Sequence, residues 1–126
     1  MNGNLAIDPA RMSQHVDNTI AAPNADPALL RLVTLLRRYE PERILLFGSR
    51  ARGQADRQSD YDVVVIKRTG RPFLDRLRDM TPFLAEFDRP ADVLVYTPEE
   101  FERMSETGLG WLVRKEGIVL YERTPG

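Results

Sequence analysis

The chain of 126 residues contains no cysteine and only one histidine. The absence of cysteine excludes a disulfide framework and thiolate metal ligands, and we expect a reducing, cytoplasmic location. The single histidine, His15, has no cysteine or second histidine beside it, so it does not predict a metal site.

Long hydrophobic runs and a strong net charge are also absent. Charged residues make up 29% of the chain, but the formal net charge is only -1. No apolar run approaches the roughly 20 residues that a membrane-spanning helix needs, and the first residues lack the basic start and apolar stretch of a signal peptide. We therefore expect no membrane association and no extended nucleic-acid partner, because a long polyanion requires a broad basic face.

The chain length is typical of one domain. Residues 1–24 have weak periodicity and two prolines, which predicts an N-terminal arm, and residues 25–126 are expected to form the folded domain. A helix should begin after Asp26, since aspartate caps free backbone N–H groups and Pro27 suits the first helical position, and its apolar stripe should face the core. Another helix should begin after Thr97, because Glu100 stands three residues later and completes a capping box. A second helical pattern at 73–87 contains Pro82, which should kink or divide it. Trp111 is expected to be a core or packing residue.

Four short apolar runs alternate with the helical patterns, at residues 44–47, 61–66, 91–96 and 118–121. Their length and their flanking glycine and proline residues indicate β-strands. The alternation predicts an α/β or α+β domain in which helices pack on a small sheet of about four strands.

Two aspartates stand at the start of the second predicted strand. Asp60 and Asp62 are separated by one residue, and strand side chains alternate, so both carboxylates should project from the same face. Two adjacent carboxylates repel each other, and burying them beside an apolar run would raise at least one pKa. A divalent cation removes that conflict, and Mg²⁺ in particular prefers a few carboxylates together with substrate phosphates.

A third aspartate, Asp92, precedes the apolar part of the third predicted strand in the same way. If the second and third strands are neighbours, Asp60, Asp62 and Asp92 meet at one end of the sheet. Such a triad can hold two metal ions roughly 4 Å apart, an arrangement used for in-line phosphoryl displacement.

A Gly-Ser turn follows the first predicted strand. Gly48 allows backbone N–H groups to approach a phosphate closely, and the Ser49 hydroxyl adds a donor. Arg50 or Arg52 can neutralise a pyrophosphate, but spacing does not decide which of them points inward. Each feature alone also has a plain structural explanation: a turn, a helix cap or strand edge, and a solvated arginine-rich loop.

The combination resembles a known family. "GSRARG" followed by "SDYDVVV", with "ADVLVY" further along, is similar to the minimal nucleotidyltransferases of the polymerase-beta superfamily. Their pattern is Gly-Ser, a spacer, Asp-x-Asp and a later aspartate on a strand. The resemblance extends from about residue 28 to the closing "EGIVLYE" and covers most of the chain.

The resemblance implies a mixed sheet and Mg²⁺-dependent transfer of a nucleoside monophosphate from ATP, or another nucleoside triphosphate, to a hydroxyl group. Pyrophosphate is released. Gly48 and Ser49 would hold the triphosphate, Asp60 and Asp62 would bind metal, and Asp92 would complete the site and help to activate the acceptor hydroxyl.

The acceptor is the least determined part of this hypothesis. Larger relatives carry added helical or RNA-binding domains, so a catalytic core alone is expected to use a second subunit or a separate partner. In the resembling family that partner is often a helical HEPN-type toxin, which the transferase adenylylates and silences. The alternatives are a non-catalytic antitoxin or regulatory subunit that neutralises a partner by contact, and a purely structural domain. No motif encodes the base preference, the acceptor or the oligomeric state.

Overall fold

The computed structural model describes residues 26–53, 60–106 and 108–123. The predicted N-terminal arm, residues 1–24, lies outside the described residues. The elements in chain order are α1 (Pro27–Arg37), β1 (Arg43–Phe47), α2 (Gly48–Ala51), β2 (Tyr61–Ile66), α3 (Phe73–Leu84), β3 (Ala91–Tyr96), α4 (Pro98–Met104), α5 (Gly108–Glu116) and β4 (Ile118–Glu122). Within these described ranges, no helix is long and apolar enough to cross a membrane.

The sheet has four strands in the order β3-β2-β1-β4. Strand β1 pairs antiparallel with both β2 and β4, whereas β2 and β3 are parallel. The predicted mixed sheet of about four strands is therefore confirmed. Because β2 and β3 run in the same direction, their first residues lie at the same end of the sheet, where β1 ends.

Both faces of the sheet are covered. Side chains alternate between faces along a strand, so Val63 and Val65 pack with α1 and α3, while Val64 and Ile66 pack with Phe101 of α4 and Val113 of α5. The helical stripe predicted for α1 is buried as expected, and its core residues are Leu29, Leu32, Val33 and Leu36. The central strands β1 and β2 are consequently apolar on both faces.

Two helix starts predicted from the sequence are confirmed. The Asp26 carboxylate accepts hydrogen bonds from the backbone N–H groups of Ala28 and Leu29, with Pro27 in the first turn. Helix α4 begins with a capping box, in which the Thr97 hydroxyl accepts from Glu100 N–H and the Glu100 carboxylate accepts from Thr97 N–H.

Two other expectations need correction. Pro82 does not divide the helical segment: α3 is one helix from Phe73 to Leu84, and Pro82 lies in its last turn. Trp111 is not a core residue. Its side chain is 44% exposed on α5, with the Lys115 ammonium 4.8 Å from the ring centroid.

A buried arginine joins α3 to β3 and α4. Arg76 is 5% exposed, and its guanidinium donates to both carboxylate oxygens of Glu100 at 2.6 and 3.1 Å. The same group donates to the carbonyl oxygens of Arg71 and Val95. The hydrogen bonds from Arg76 outweigh the effect of burial and, with the hydrogen bond from Thr97 N–H and the charge of Arg76, lower the pKa of Glu100 to about 2. The charge of Arg76 is thus compensated at the end of the sheet away from the β2 and β3 starts.

Candidate active site

The carboxylates predicted at two strand entrances lie side by side. Asp62 of β2 and Asp92 of β3 are register partners in the parallel pair, so their side chains leave the sheet on the same face. Asp62 is also the register partner of Phe47, the last residue of β1. Gly48 follows Phe47 directly, which brings the Gly-Ser turn to the same position.

The Asp62 carboxyl group experiences a conflict of charges. Burial raises its pKa above the ordinary value, the negative charges of Asp92 and Asp60 raise it further, and the positive charge of Arg52 acts in the opposite direction. The predicted repulsion between neighbouring carboxylates is therefore present at β2. The electrostatic environment at Asp62 favours a bound cation.

Gly48 lies directly against Asp62. Its φ is 76°, in the region that favours glycine, and a Cβ atom at this position would overlap Asp62 Oδ2 and approach Asp62 Cγ to 3.2 Å. Two physical reasons thus require glycine here: the backbone conformation and the space occupied by the carboxylate. Ser49 follows as the second residue of the four-residue helix α2 and is partly exposed.

The two arginines of the turn have different surroundings. Arg52 lies close enough to Asp62 for its positive charge to lower the pKa of that carboxyl group. Its Nη1 also lies 3.4 Å from Glu116 Oε1 at the end of α5. Arg50 lies elsewhere: its guanidinium stacks on the Tyr61 ring at 3.9 Å and its Nη1 is 3.6 Å from Asp26 Oδ2. The Arg52 side chain is 40% exposed, whereas that of Arg50 is only 14% exposed.

Asp60 immediately precedes β2 and is exposed. It lies close enough to Asp62 to raise the pKa of that carboxyl group. Among the described residues, no three histidine, cysteine or carboxylate side chains form a ready-made metal cluster. The donors present, the adjacent carboxylates of Asp62 and Asp92, suit Mg²⁺, which requires only a few protein oxygens and retains water or phosphate ligands.

Sequence reasoning missed two residues beside the site. Asp26 was predicted only as a helix cap, and Tyr61 only as part of a strand. In the structure Tyr61 Oη donates to Asp26 Oδ2 at 2.7 Å. Alternation along β2 indicates that Tyr61 points away from Asp62, but no local pattern pairs it with a residue 35 positions earlier.

Comparison with known proteins agrees with this geometry. The model of the family described as "Nucleotidyltransferase domain" matches residues 31–116, a range that includes the turn and all three aspartates. The chain belongs to the nucleotidyltransferase domain family. No curated protein matches the chain significantly.

Several solved structures share the fold. A toxin–antitoxin with AMP-PNP is 25% identical, with a TM-score of 0.56, and the match covers 75% of this chain and 73% of that one. A variant of the MntA–HpeT toxin–antitoxin is 23% identical, with a TM-score of 0.55, covering 76% of this chain and 73% of the other. The likeness to the second structure establishes the fold alone. This nucleotidyltransferase domain therefore shares its overall fold with these two structures.

Proposed function

We propose that this nucleotidyltransferase domain transfers a nucleoside monophosphate, AMP from ATP, to a hydroxyl group of a partner protein and releases pyrophosphate. One observation carries the proposal: Asp62 and Asp92 lie side by side on one face of a parallel strand pair, with the Gly48-Ser49 turn directly against Asp62. A pair of carboxylates next to an anion-binding turn is the arrangement that metal-assisted phosphoryl transfer requires.

Each residue of the site has a role in this proposal. Gly48 and Ser49 hold the triphosphate through backbone N–H groups and the serine hydroxyl, and Arg52 balances its charge. Asp60, Asp62 and Asp92 hold Mg²⁺, one or two ions, and Asp92 also accepts the proton of the acceptor hydroxyl. When bound, Mg²⁺ compensates the negative charge of the carboxylates and of the triphosphate. The raised pKa of Asp62, caused by burial and by the neighbouring carboxylates, is consistent with a carboxylate whose charged form a bound cation would stabilise.

The partner is proposed to be a helical HEPN-type protein in a toxin–antitoxin module. The support is the family resemblance together with the toxin–antitoxin structure that contains AMP-PNP, at 25% identity. A target hydroxyl presented by a separate protein would reach the carboxylates from the exposed side of Asp60 and Asp92, both of which are solvent-accessible.

Calorimetric titration with ATP, CTP, GTP and UTP, each with and without Mg²⁺, tests the nucleotide part of the proposal. We expect Mg²⁺-dependent binding of ATP to the wild-type protein and its loss in Asp60→Asn. Arg114→Gln is the matched control, because the Arg114–Glu102 ion pair is exposed and lies on α5 and α4. A HEPN-type protein incubated with the chain, ATP and Mg²⁺ should then gain the mass of AMP.

Each outcome separates this activity from a contact-only antitoxin. Binding of a HEPN-type protein without any mass gain, and without nucleotide binding, would contradict the transferase proposal and support neutralisation by contact. Nucleotide binding that survives Asp60→Asn would show that the carboxylates are not the site.

A further inference from the structure

Three side chains form a connected network beside the site. Tyr61 Oη donates to Asp26 Oδ2 at 2.7 Å, and Arg50 Nη1 lies 3.6 Å from the same oxygen. The Arg50 guanidinium also covers the face of the Tyr61 ring, with its carbon 3.9 Å from the centroid. Tyr61 is 1% exposed, so this network is closed on its inner side by the core.

The network connects three elements that border the site. Asp26 caps α1, Arg50 lies in α2, and Tyr61 begins β2. In the sequence, Arg50 directly follows Ser49, and Tyr61 stands between the two predicted metal-binding aspartates. A movement of Arg50 relative to Tyr61 therefore displaces the Gly-Ser turn relative to Asp62.

The electrostatics of Asp26 agree with a charged partner. Burial alone would raise its pKa, but the hydrogen bond from Tyr61, the backbone donors Ala28 and Leu29, and the charge of Arg50 together place it below the ordinary value. Asp26 is consequently ionised at neutral pH, and its negative charge attracts the Arg50 guanidinium. The Arg50 guanidinium is already held by the Asp26 charge and by the Tyr61 ring. Ordering the turn around it therefore costs little additional side-chain entropy.

We propose that Asp26, Tyr61 and Arg50 are positioning residues that fix the Gly48-Ser49 turn against Asp62, and that Arg50 does this instead of binding the triphosphate. Arg52 is then the arginine of the turn that faces the nucleotide. The catalytic consequence rests on the proposed nucleotidyl transfer, whereas the effect on the turn is measurable without it.

Two roles for Arg50 predict opposite effects of Asp26→Asn. If Arg50 binds phosphate, the loss of the competing Asp26 charge should tighten ATP binding. If the network positions the turn, the same change should weaken ATP binding, on the order of tenfold, because a charge-assisted interaction is lost. Asparagine caps helices as well as aspartate does, so α1 should keep its start.

The experiment combines backbone amide hydrogen exchange with ATP titration in the presence of Mg²⁺. The variants are Asp26→Asn, Tyr61→Phe and Arg50→Met, and Arg114→Gln is the control. The reporters are the amides of Arg52 and Gly53, which donate to the carbonyl oxygens of Gly48 and Arg50. We expect their exchange to accelerate about tenfold in Asp26→Asn and Arg50→Met, and less in Tyr61→Phe, while exchange in β1 and β2 stays unchanged. In the double variant Asp26→Asn/Tyr61→Phe the effects should not add, since the residues act as one unit.

Turn exchange equal to wild type in all three variants would overturn the proposal, as would tighter ATP binding in Asp26→Asn. If Asp26→Asn or Arg50→Met exchanges faster throughout the protein, the variant is globally destabilised. The effect on the turn is then judged from Tyr61→Phe, which keeps the buried ring and loses only the hydroxyl group. A wild-type protein that binds no ATP contradicts the proposed function, but the exchange data still decide whether the network holds the turn.

Discussion

Asp62 and Asp92 occupy equivalent register positions in β2 and β3, the one parallel strand pair found among the described residues. Parallel pairing places two strand starts at the same edge, so aspartates that are 30 positions apart in sequence come together without any loop to direct them. The repulsion between the two carboxylates follows from this register. A cation bound beside them would relieve it.

Replacing Asp62 with asparagine should leave the metal-free protein as stable as wild type or more stable, by up to about 1 kcal/mol. The folded-state pKa of Asp62 is raised, so its ionised form costs stability once the pH exceeds the ordinary value, and the wild type loses stability relative to the variant as the pH rises through the folded-state pKa. Urea unfolding at several pH values in the presence of a chelator measures this. Mg²⁺-dependent ATP binding should be lost.

Asp88→Asn is the control for that measurement. The Arg31 guanidinium holds the pKa of Asp88 below its ordinary value, so any pH dependence introduced by this variant should have the opposite sign. A marked loss of metal-free stability in Asp62→Asn would identify Asp62 as a structural residue and argue against the metal site.

Gly48→Ala should destabilise the protein and disrupt the site together. The positive φ of 76° costs an alanine about 1 kcal/mol or more, and the new methyl group must displace the Asp62 carboxylate. Gly53 provides the matched control, because it also has a positive φ but no atom of the described residues lies within 4 Å of an added Cβ. Thermal unfolding should show a larger loss for Gly48→Ala, and only this variant should weaken ATP binding. Equal losses in both would show that backbone strain alone explains Gly48.

The sequence was sufficient to predict elements whose signals are local. The four strands, the Asp26 cap and the capping box at Thr97 depend on residues a few positions apart, and all were predicted. The contact between Asp26 and Tyr61 was not, because it depends on how α1 crosses the sheet. The exposure of Trp111 was missed for a related reason: α5 is short and buries only part of its surface, and hydrophobicity alone does not tell which part.

The candidate site also contains parts that the sequence predicts and parts that it does not. The position of Asp62 relative to Asp92 was predicted conditionally, on the assumption that their strands are neighbours, and the sheet order meets that condition. The difference between Arg50 and Arg52 was undecidable from spacing, since both lie in one turn and only the surrounding elements, α1 for Arg50 and α5 for Arg52, distinguish them.

Ser49→Ala should weaken binding of ATP with Mg²⁺ by about tenfold, the magnitude expected when one hydrogen bond to a charged group is lost. Folding should change little, because Ser49 is partly exposed and alanine favours helices. Calorimetry of ATP and of AMP distinguishes a contact to the outer phosphates from one to the first phosphate. An unchanged affinity for both nucleotides would remove Ser49 from the site.

Arg52→Gln should weaken ATP binding by about tenfold or more, whereas Glu116→Gln should leave it unchanged or tighten it. The reason is that Glu116 lies 3.4 Å from Arg52 Nη1 and competes for the charge that we assign to the triphosphate. Titrations of both variants at two salt concentrations measure the effect, because charge interactions at exposed residues weaken with salt. Weaker binding in Glu116→Gln would mean that Glu116 orients Arg52 instead of competing with the nucleotide.

The Arg76–Glu100 pair should produce an acid-dependent loss of stability that is independent of the active site. The pKa of Glu100 is lowered from 4.5 to about 2 in the folded protein. The pair therefore stabilises the fold fully when the pH is above the ordinary pKa of glutamate, and this contribution is lost as the pH falls toward 2. We expect the free energy of unfolding of the wild type to exceed that of Glu100→Gln by about 2–3 kcal/mol at pH 7, and by progressively less below pH 4.5. Gln at this position keeps the capping hydrogen bond, which isolates the charge effect.

Arg76→Met tests the other side of the pair. It leaves the carboxylate of Glu100 without the guanidinium at 2.6 Å and should cost about 3 kcal/mol, whereas Arg76→Met/Glu100→Gln should recover part of that loss, because no uncompensated charge remains. Denaturant unfolding of the two single variants and the double variant gives the coupling free energy. Additive losses would mean that Arg76 acts mainly through the carbonyl oxygens of Arg71 and Val95. In either case ATP binding should be unaffected, since the pair lies at the opposite end of the sheet from Asp62.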